Sequence, residues 1–165
     1  MATTIARIQI PNASLLAANI AAATTYYIPR NAAAGFANAP LVNVNATTLG
    51  AGYIFDVSEY SGCLLVATTA GMTSAAGCVV SAQGIHPELQ PLPAASQPIP
   101  IAGAGFTFSL PAIAATASTQ GLAFNAVTSA NRVSSVALEV AFTTLPTAGA
   151  DLWVYLFGFP WKSYE

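Results

Sequence analysis

The chain is cut into strand-length pieces. Runs of β-branched and aromatic residues recur about every 8 to 15 positions and are separated by Gly, Pro, Asn or Ser, a pattern that reads as an antiparallel sandwich or barrel. Candidate strands lie over 4–10, 24–28, 41–45, 52–57, 63–69, 76–83, 97–101, 105–110, 122–127, 132–143 and 151–157. Near the C-terminal end Val136, Leu138, Val140 and Phe142 alternate with Ala137, Glu139 and Ala141, so one face is core and the other small or polar. The fold expected is all-β, an antiparallel β-sandwich of about 8–11 strands with at most one short helix. That helix, over 14–23, has the propensity for about three turns and Asn12 or Ser14 as a cap.

One hairpin is expected, and a second follows if 63–69 pairs with 76–82. The strand over 132–143 runs through Leu145-Pro146-Thr147-Ala148-Gly149 into Leu152-Trp153-Val154-Tyr155-Leu156-Phe157. A hairpin folded around Ala70–Gly71 would set Cys63 opposite Cys78, and a loop centred one residue later would set Cys63 opposite Val80. Two cysteines are too few for a disulfide framework, and two small buried thiols are the expected state in a reducing cell.

The length suits one domain over 1–165, large enough to bury a core without metal or disulfide staples. Three segments depart from the sandwich pattern: an N-terminal arm over 1–12, a proline-rich connection over 87–100 and an aromatic tail over 158–165. Pro87, Pro91, Pro93, Pro98 and Pro100 forbid a helix or a central strand in the connection. It reads as a stiff extended link that crosses between sheets or reaches a neighbouring subunit.

Charge narrows the function. The chain carries 4 basic and 6 acidic residues, with 55% hydrophobic residues and a net charge of −2. An ordinary chain of this length has about forty charges, and mixed charge is what keeps free surfaces apart. Thr, Ser and Asn build the polar surface instead, and they give up less hydration than ions when a neighbour covers them. The composition therefore points to a surface that partner subunits cover. Arg7, Arg30, Arg132 and Lys162 are scattered, so nucleic acid is not an expected partner. A membrane is not expected either. The longest apolar stretch, 15–28, is interrupted by Asn19, Thr24 and Thr25 and closed by Pro29. Arg7 and the residues after it break the continuous core of a secretory signal, so synthesis in a cytoplasm without processing is expected.

The search for chemistry yields little. His86, the single histidine, has no second ligand at zinc spacing, and no Gly-x-Ser-x-Gly elbow supports a serine triad. Asp56 and Glu59 form the close carboxylate pair, placed after a strand and before Ser61–Gly62, where a solvated turn or an intersubunit ion pair is the expected role. The Gly-Ala-Gly triplets at 50–52 and 103–105 lead into aromatic strands and lack a P-loop lysine. No catalytic, cofactor or metal residues are assigned.

Recognition signals sit at the two ends. Trp153, Tyr155 and Phe157 share one face of a strand and read as core, whereas Phe159, Trp161 and Tyr164 follow Gly158 and read as anchors for a partner's pocket. Ile5, Ile8 and Ile10 are placed to add the arm as a strand to a neighbouring sheet.

With its Ala/Thr-rich strands, proline-rich connections and the ending Phe157-Gly158-Phe159-Pro160-Trp161, the chain resembles small, nearly uncharged β-rich structural proteins of tailed-phage virions, in particular capsid decoration or cement proteins. The resemblance is one of style over the whole length and transfers no functional residue. It implies a jelly-roll or related sandwich, commonly a homotrimer, seated on the capsid surface of the virion and tying neighbouring major capsid subunits together. A tail-tube or fibre subunit, a carbohydrate-binding sandwich and an outer-membrane barrel are the alternative readings.

Overall fold

The computed structural model describes residues 1–10, 23–30, 41–44, 51–69, 78–85, 107–113, 118–125, 133–143 and 152–160. These residues form ten strands: β1 (Thr3–Ile10), β2 (Thr25–Tyr27), β3 (Val42–Asn43), β4 (Ile54–Asp56), β5 (Tyr60–Thr69), β6 (Cys78–Ile85), β7 (Thr107–Ser109), β8 (Ser118–Asn125), β9 (Ser135–Phe142) and β10 (Leu152–Pro160). One short 3-10 helix, Ala51–Tyr53, leads into β4. The expected helix over 14–23, apart from Ala23, and all of the proline-rich connection and the candidate strand over 97–101 lie outside the described residues.

The strands build two antiparallel sheets that pack on each other. Sheet A has the order β1-β10-β5-β8, and sheet B the order β3-β2-β9-β6-β7 with β4 also paired to β9. The expected all-β antiparallel sandwich is therefore the observed fold. Four of the pairings are nested: β1 with β10, β2 with β9, β5 with β8 and β6 with β7. Two more, β10 with β5 and β9 with β6, join the nested pairs into sheets.

That topology corrects both hairpin readings. β9 lies in sheet B and β10 in sheet A, so the connection over 143–151 joins the two sheets. β5 and β6 are likewise split between the sheets. Cys63 pairs in sheet A with Phe124 and Gly158, Cys78 pairs in sheet B with Phe142, and both thiols are free and buried. A hairpin reading assumes that consecutive strands pair. Here burying the inner faces of two sheets outweighs that local economy, and from β5 onward the long strands β5, β6, β8, β9 and β10 alternate between layers.

One core fills the sandwich. Ile8, Ile10, Leu152, Val154 and Leu156 from sheet A meet Val136, Leu138, Val140 and Phe142 from sheet B, and none of these side chains exceeds 1% exposure. Each such aliphatic burial stabilises by roughly 1.5–3 kcal/mol. The Phe108 and Phe124 rings stack across the layers with centroids 4.2 Å apart, which fixes β7 against β8 at one edge. β8 begins at Ser118, earlier than its composition suggests. Ser118, Gln120 and Gly121 have weak strand preference, and pairing to β5 holds them extended.

Candidate functional site

In β10 the even-numbered side chains Leu152, Val154 and Leu156 point into the core, while Trp153, Tyr155 and Phe157 stand on the outer face of sheet A, half-buried. The expectation that these aromatics form the core face is corrected. Both faces of β10 are apolar, and the alternation alone does not say which is inside. The outer face continues to Phe159, which is 41% exposed.

Register builds the rest of this face row by row. Gln9, Trp153, Thr68 and Thr119 form one row, and Arg7, Tyr155, Val66 and Gly121 the next. Thr4, Phe157, Leu64 and Ala123 follow, and Phe159, Gly62 and Asn125 complete the surface. The three rings run nearly parallel along the strand, with Trp153 and Tyr155 centroids 6.3 Å apart and Tyr155 and Phe157 centroids 6.0 Å apart. Arg7 lies over the Trp153 ring at 5.5 Å, a cation–π contact that holds the guanidinium against the aromatic row. Thr119 donates a hydroxyl hydrogen bond to Thr68 at 2.9 Å. Within the four strands of sheet A, Arg7 alone carries a formal charge.

The face is graded in height. Bulky rings stand on β10, branched aliphatics on β5, and small side chains, Thr119, Gly121 and Ala123, on β8. An outward sheet face normally carries polar side chains that keep water bound. This one carries aromatics and aliphatics instead.

The sequence-derived candidates fall in three places. Phe159 belongs to the outer face, but it does so as part of β10: the strand runs to Pro160, with a register shift between Phe159 and Pro160, so the tail does not begin at 158. The Ser61 hydroxyl donates to the Phe159 carbonyl at 3.1 Å and ties this end of the strand down. Trp161 and Tyr164 lie outside the described residues. The expected arm is β1 itself, paired to β10. Ile8 and Ile10 are each 1% exposed in the chain's own core. Ile5, at the register shift between Thr4 and Ala6, packs partly buried against that core. A strand able to bury isoleucines in its own sandwich gains more from that than from waiting exposed for a neighbour, so these three residues are not free anchors.

Sheet B presents a different outer face. Tyr27, Ile85 and Ala137 form a small second cluster with Val44 and Tyr53 against it. Glu139 stands on β9 between Tyr27 of β2 and Ser81 of β6. Burial pushes its carboxyl up to about 7, against the opposing effect of the Ser81 hydrogen bond, and Tyr27 is raised to about 12 by burial and by the nearby Glu139 charge.

Among the described residues the remaining chemistry-bearing side chains do not assemble into a centre. The Asp56 carboxylate accepts the Ser58 backbone N–H at 2.8 Å, and hydrogen bonds from Ser58 hold it below the ordinary carboxylate value, helped by Arg30. This is a turn lock of the kind Asp residues make after a strand. Cys63 is pushed up to about 11 and Cys78 to about 12 by burial, which makes them poor nucleophiles. Among the described residues no three His, Cys, Asp or Glu side chains converge to hold a metal ion. No described helix is long and apolar enough to cross a membrane. His86 lies outside the described residues.

Comparison with family models, curated proteins and solved structures finds no match to this chain.

Proposed function

We propose that this chain is a non-enzymatic structural protein of a viral particle, a decoration or cement protein that stabilises the shell by bridging neighbouring subunits. The observation that carries the reading is the outer face of sheet A, four strands wide, lined by Trp153, Tyr155, Phe157 and Phe159 and bearing one charge. Such a face is costly in water and favourable when covered, at roughly 25 cal/mol for each Å² removed from solvent. The nested pairing of β1 with β10, β2 with β9, β5 with β8 and β6 with β7 supports a jelly-roll reading of the sandwich. Jelly rolls recur in viral capsid and lectin domains, an analogy of fold that raises the prior without deciding the site.

A cement protein works by binding one quaternary state of a lattice better than its alternatives, so swelling or disassembly must first break those contacts. A surface poor in ions suits a permanent seat, because little charge hydration is lost on docking. The site in the cell is the capsid surface of a virion, after synthesis in the host cytoplasm. The partners are a major capsid protein and copies of the same chain. A carbohydrate-binding sandwich is the second reading, favoured by the row of parallel rings, although the face offers Gln9 and Asn125 and no carboxylate for sugar hydroxyls.

Immunogold labelling with an antibody against the full chain, applied to density-gradient-purified particles from the source of this sequence, tests the proposal. Gold on particle heads, with a lower disruption temperature for particles lacking the chain, is the expected result. Particles free of label, with binding of the purified chain on a glycan array, would replace this reading by the second.

A further inference from the structure

We propose that the outer face of sheet A is covered by the same face of a second copy, related by a two-fold axis that runs parallel to the strands between β10 and β5. The inference rests on the assembly reading above and names the partner at that surface.

Area comes first. β10 spans nine residues, about 30 Å at the rise of an extended chain, and four strands at their usual spacing are about 19 Å across. The face thus offers roughly 570 Å² per copy, and two such faces together reach the lower bound for a specific interface, about 1,000–1,200 Å². That is enough for a reversible dimer.

The grading of the face selects the axis. A two-fold along the strands reverses the strand order and leaves each row at its own height. β10 of one copy then lies over β5 of the other, and β1 over β8. The rings of Trp153, Tyr155 and Phe157 rest on Thr68, Val66 and Leu64, and the low strand with Gly121 and Ala123 receives β1. High ground meets low ground along the whole width. The alternative in-plane axis, perpendicular to the strands, stacks β10 on β10 and β8 on β8. Rings then collide along one line while a gap opens along another, and such voids and overlaps both destabilise an interface.

Charge selects the same axis. Perpendicular packing stacks the charged strand β1 on β1 of the other copy. Parallel packing puts each Arg7 opposite Gly121 of the other copy, at the rim, where its guanidinium keeps water and its contact with Trp153. Gln9, Thr119 and Asn125 line the same rim, and a polar rim around an aromatic centre is the usual anatomy of such surfaces.

Gly121 makes the geometry testable. A Cβ there would meet its nearest atoms, Leu65 O and Val66 Cγ2, at 3.8 Å, ordinary contact distance, so the fold accepts a side chain at this position. Sedimentation equilibrium of the full chain from about 1 μM to 1 mM, for Gly121→Glu, Gly121→Lys and Tyr155→Glu beside the parent, reads the association, with circular dichroism confirming each fold. The expected parent is a dimer with a dissociation constant in the micromolar range. Gly121→Glu should tighten it about threefold by facing Arg7 of the other copy, and Gly121→Lys should weaken it about threefold. Tyr155→Glu, a charge at the centre of the face, should weaken it by at least about thirtyfold. A parent that stays monomeric throughout overturns the second copy as occupant, as does a dimer in which Glu and Lys at 121 act in the same direction. If the chain nonetheless labels particles, the particle role stands and the occupant of the face is the major capsid protein.

Discussion

The ring of Tyr60 occupies the space that a Cβ on residue 158 would need, so Gly158 is the one residue that fits β10 where it passes over the start of β5. The register shift between Phe159 and Pro160 follows directly after this close approach, and Tyr60 itself packs against the core. Gly158→Ala is expected to displace the ring and destabilise the fold by about 1–3 kcal/mol, the usual range for overpacking. Urea unfolding of the variant checks it, with an unchanged midpoint as the contrary result.

Glu139 should make stability depend on pH. Its carboxyl is raised to about 7 in the fold, above the ordinary carboxylate value it regains on unfolding. Between these values the folded chain holds a proton that the unfolded chain has lost, so stability falls as pH rises through that window and levels off above about 7. The loss is on the order of 3 kcal/mol. Thermal unfolding should therefore occur at a higher temperature at pH 5 than at pH 8. Glu139→Gln, which keeps the Ser81 contact without a charge, should flatten the profile and raise the pH 8 value.

Thr69 closes β5 with a hydroxyl that is buried and has no hydrogen-bond partner among the described residues. Replacing it by the isosteric Val removes the desolvation cost of that hydroxyl and keeps the volume. Thr69→Val is expected to stabilise by about 1 kcal/mol, a rise of about 2–4 °C in Tm for a domain of this size. Calorimetry at fixed pH measures it, and a lower Tm would mean the hydroxyl is satisfied.

Cys63 and Cys78 sit in different sheets, both buried and both raised well above the usual thiol value by burial. Neither is poised to react. A thiol-specific chromogenic reagent should find no reactive group in the folded chain at pH 8 and two in denaturant, and non-reducing electrophoresis should leave mobility unchanged. Fast reaction of a single thiol in the native state would show that one of the two sits closer to solvent than its burial implies.

The sequence by itself determined that the chain is a β-sandwich. Period-two alternation in 136–142, punctuation by Gly and Pro and the scarcity of charge are local properties, read directly from residue order. It also placed each of the ten described strands to within a few residues and drew attention to Phe159. Only the tertiary structure decided which strand lies beside which, and therefore which face of each is outside. Cys63 is not paired with Cys78, and β9 is not paired with β10, because burying two inner faces places β5 and β6, and β9 and β10, in different layers. Ile8 and Ile10 went into the core, and Trp153, Tyr155 and Phe157 went outside, although all are apolar and each set keeps the same spacing of two. Alternation assigns residues to two faces. Naming the inner one requires the opposite sheet, a partner distant in sequence that no local pattern contains.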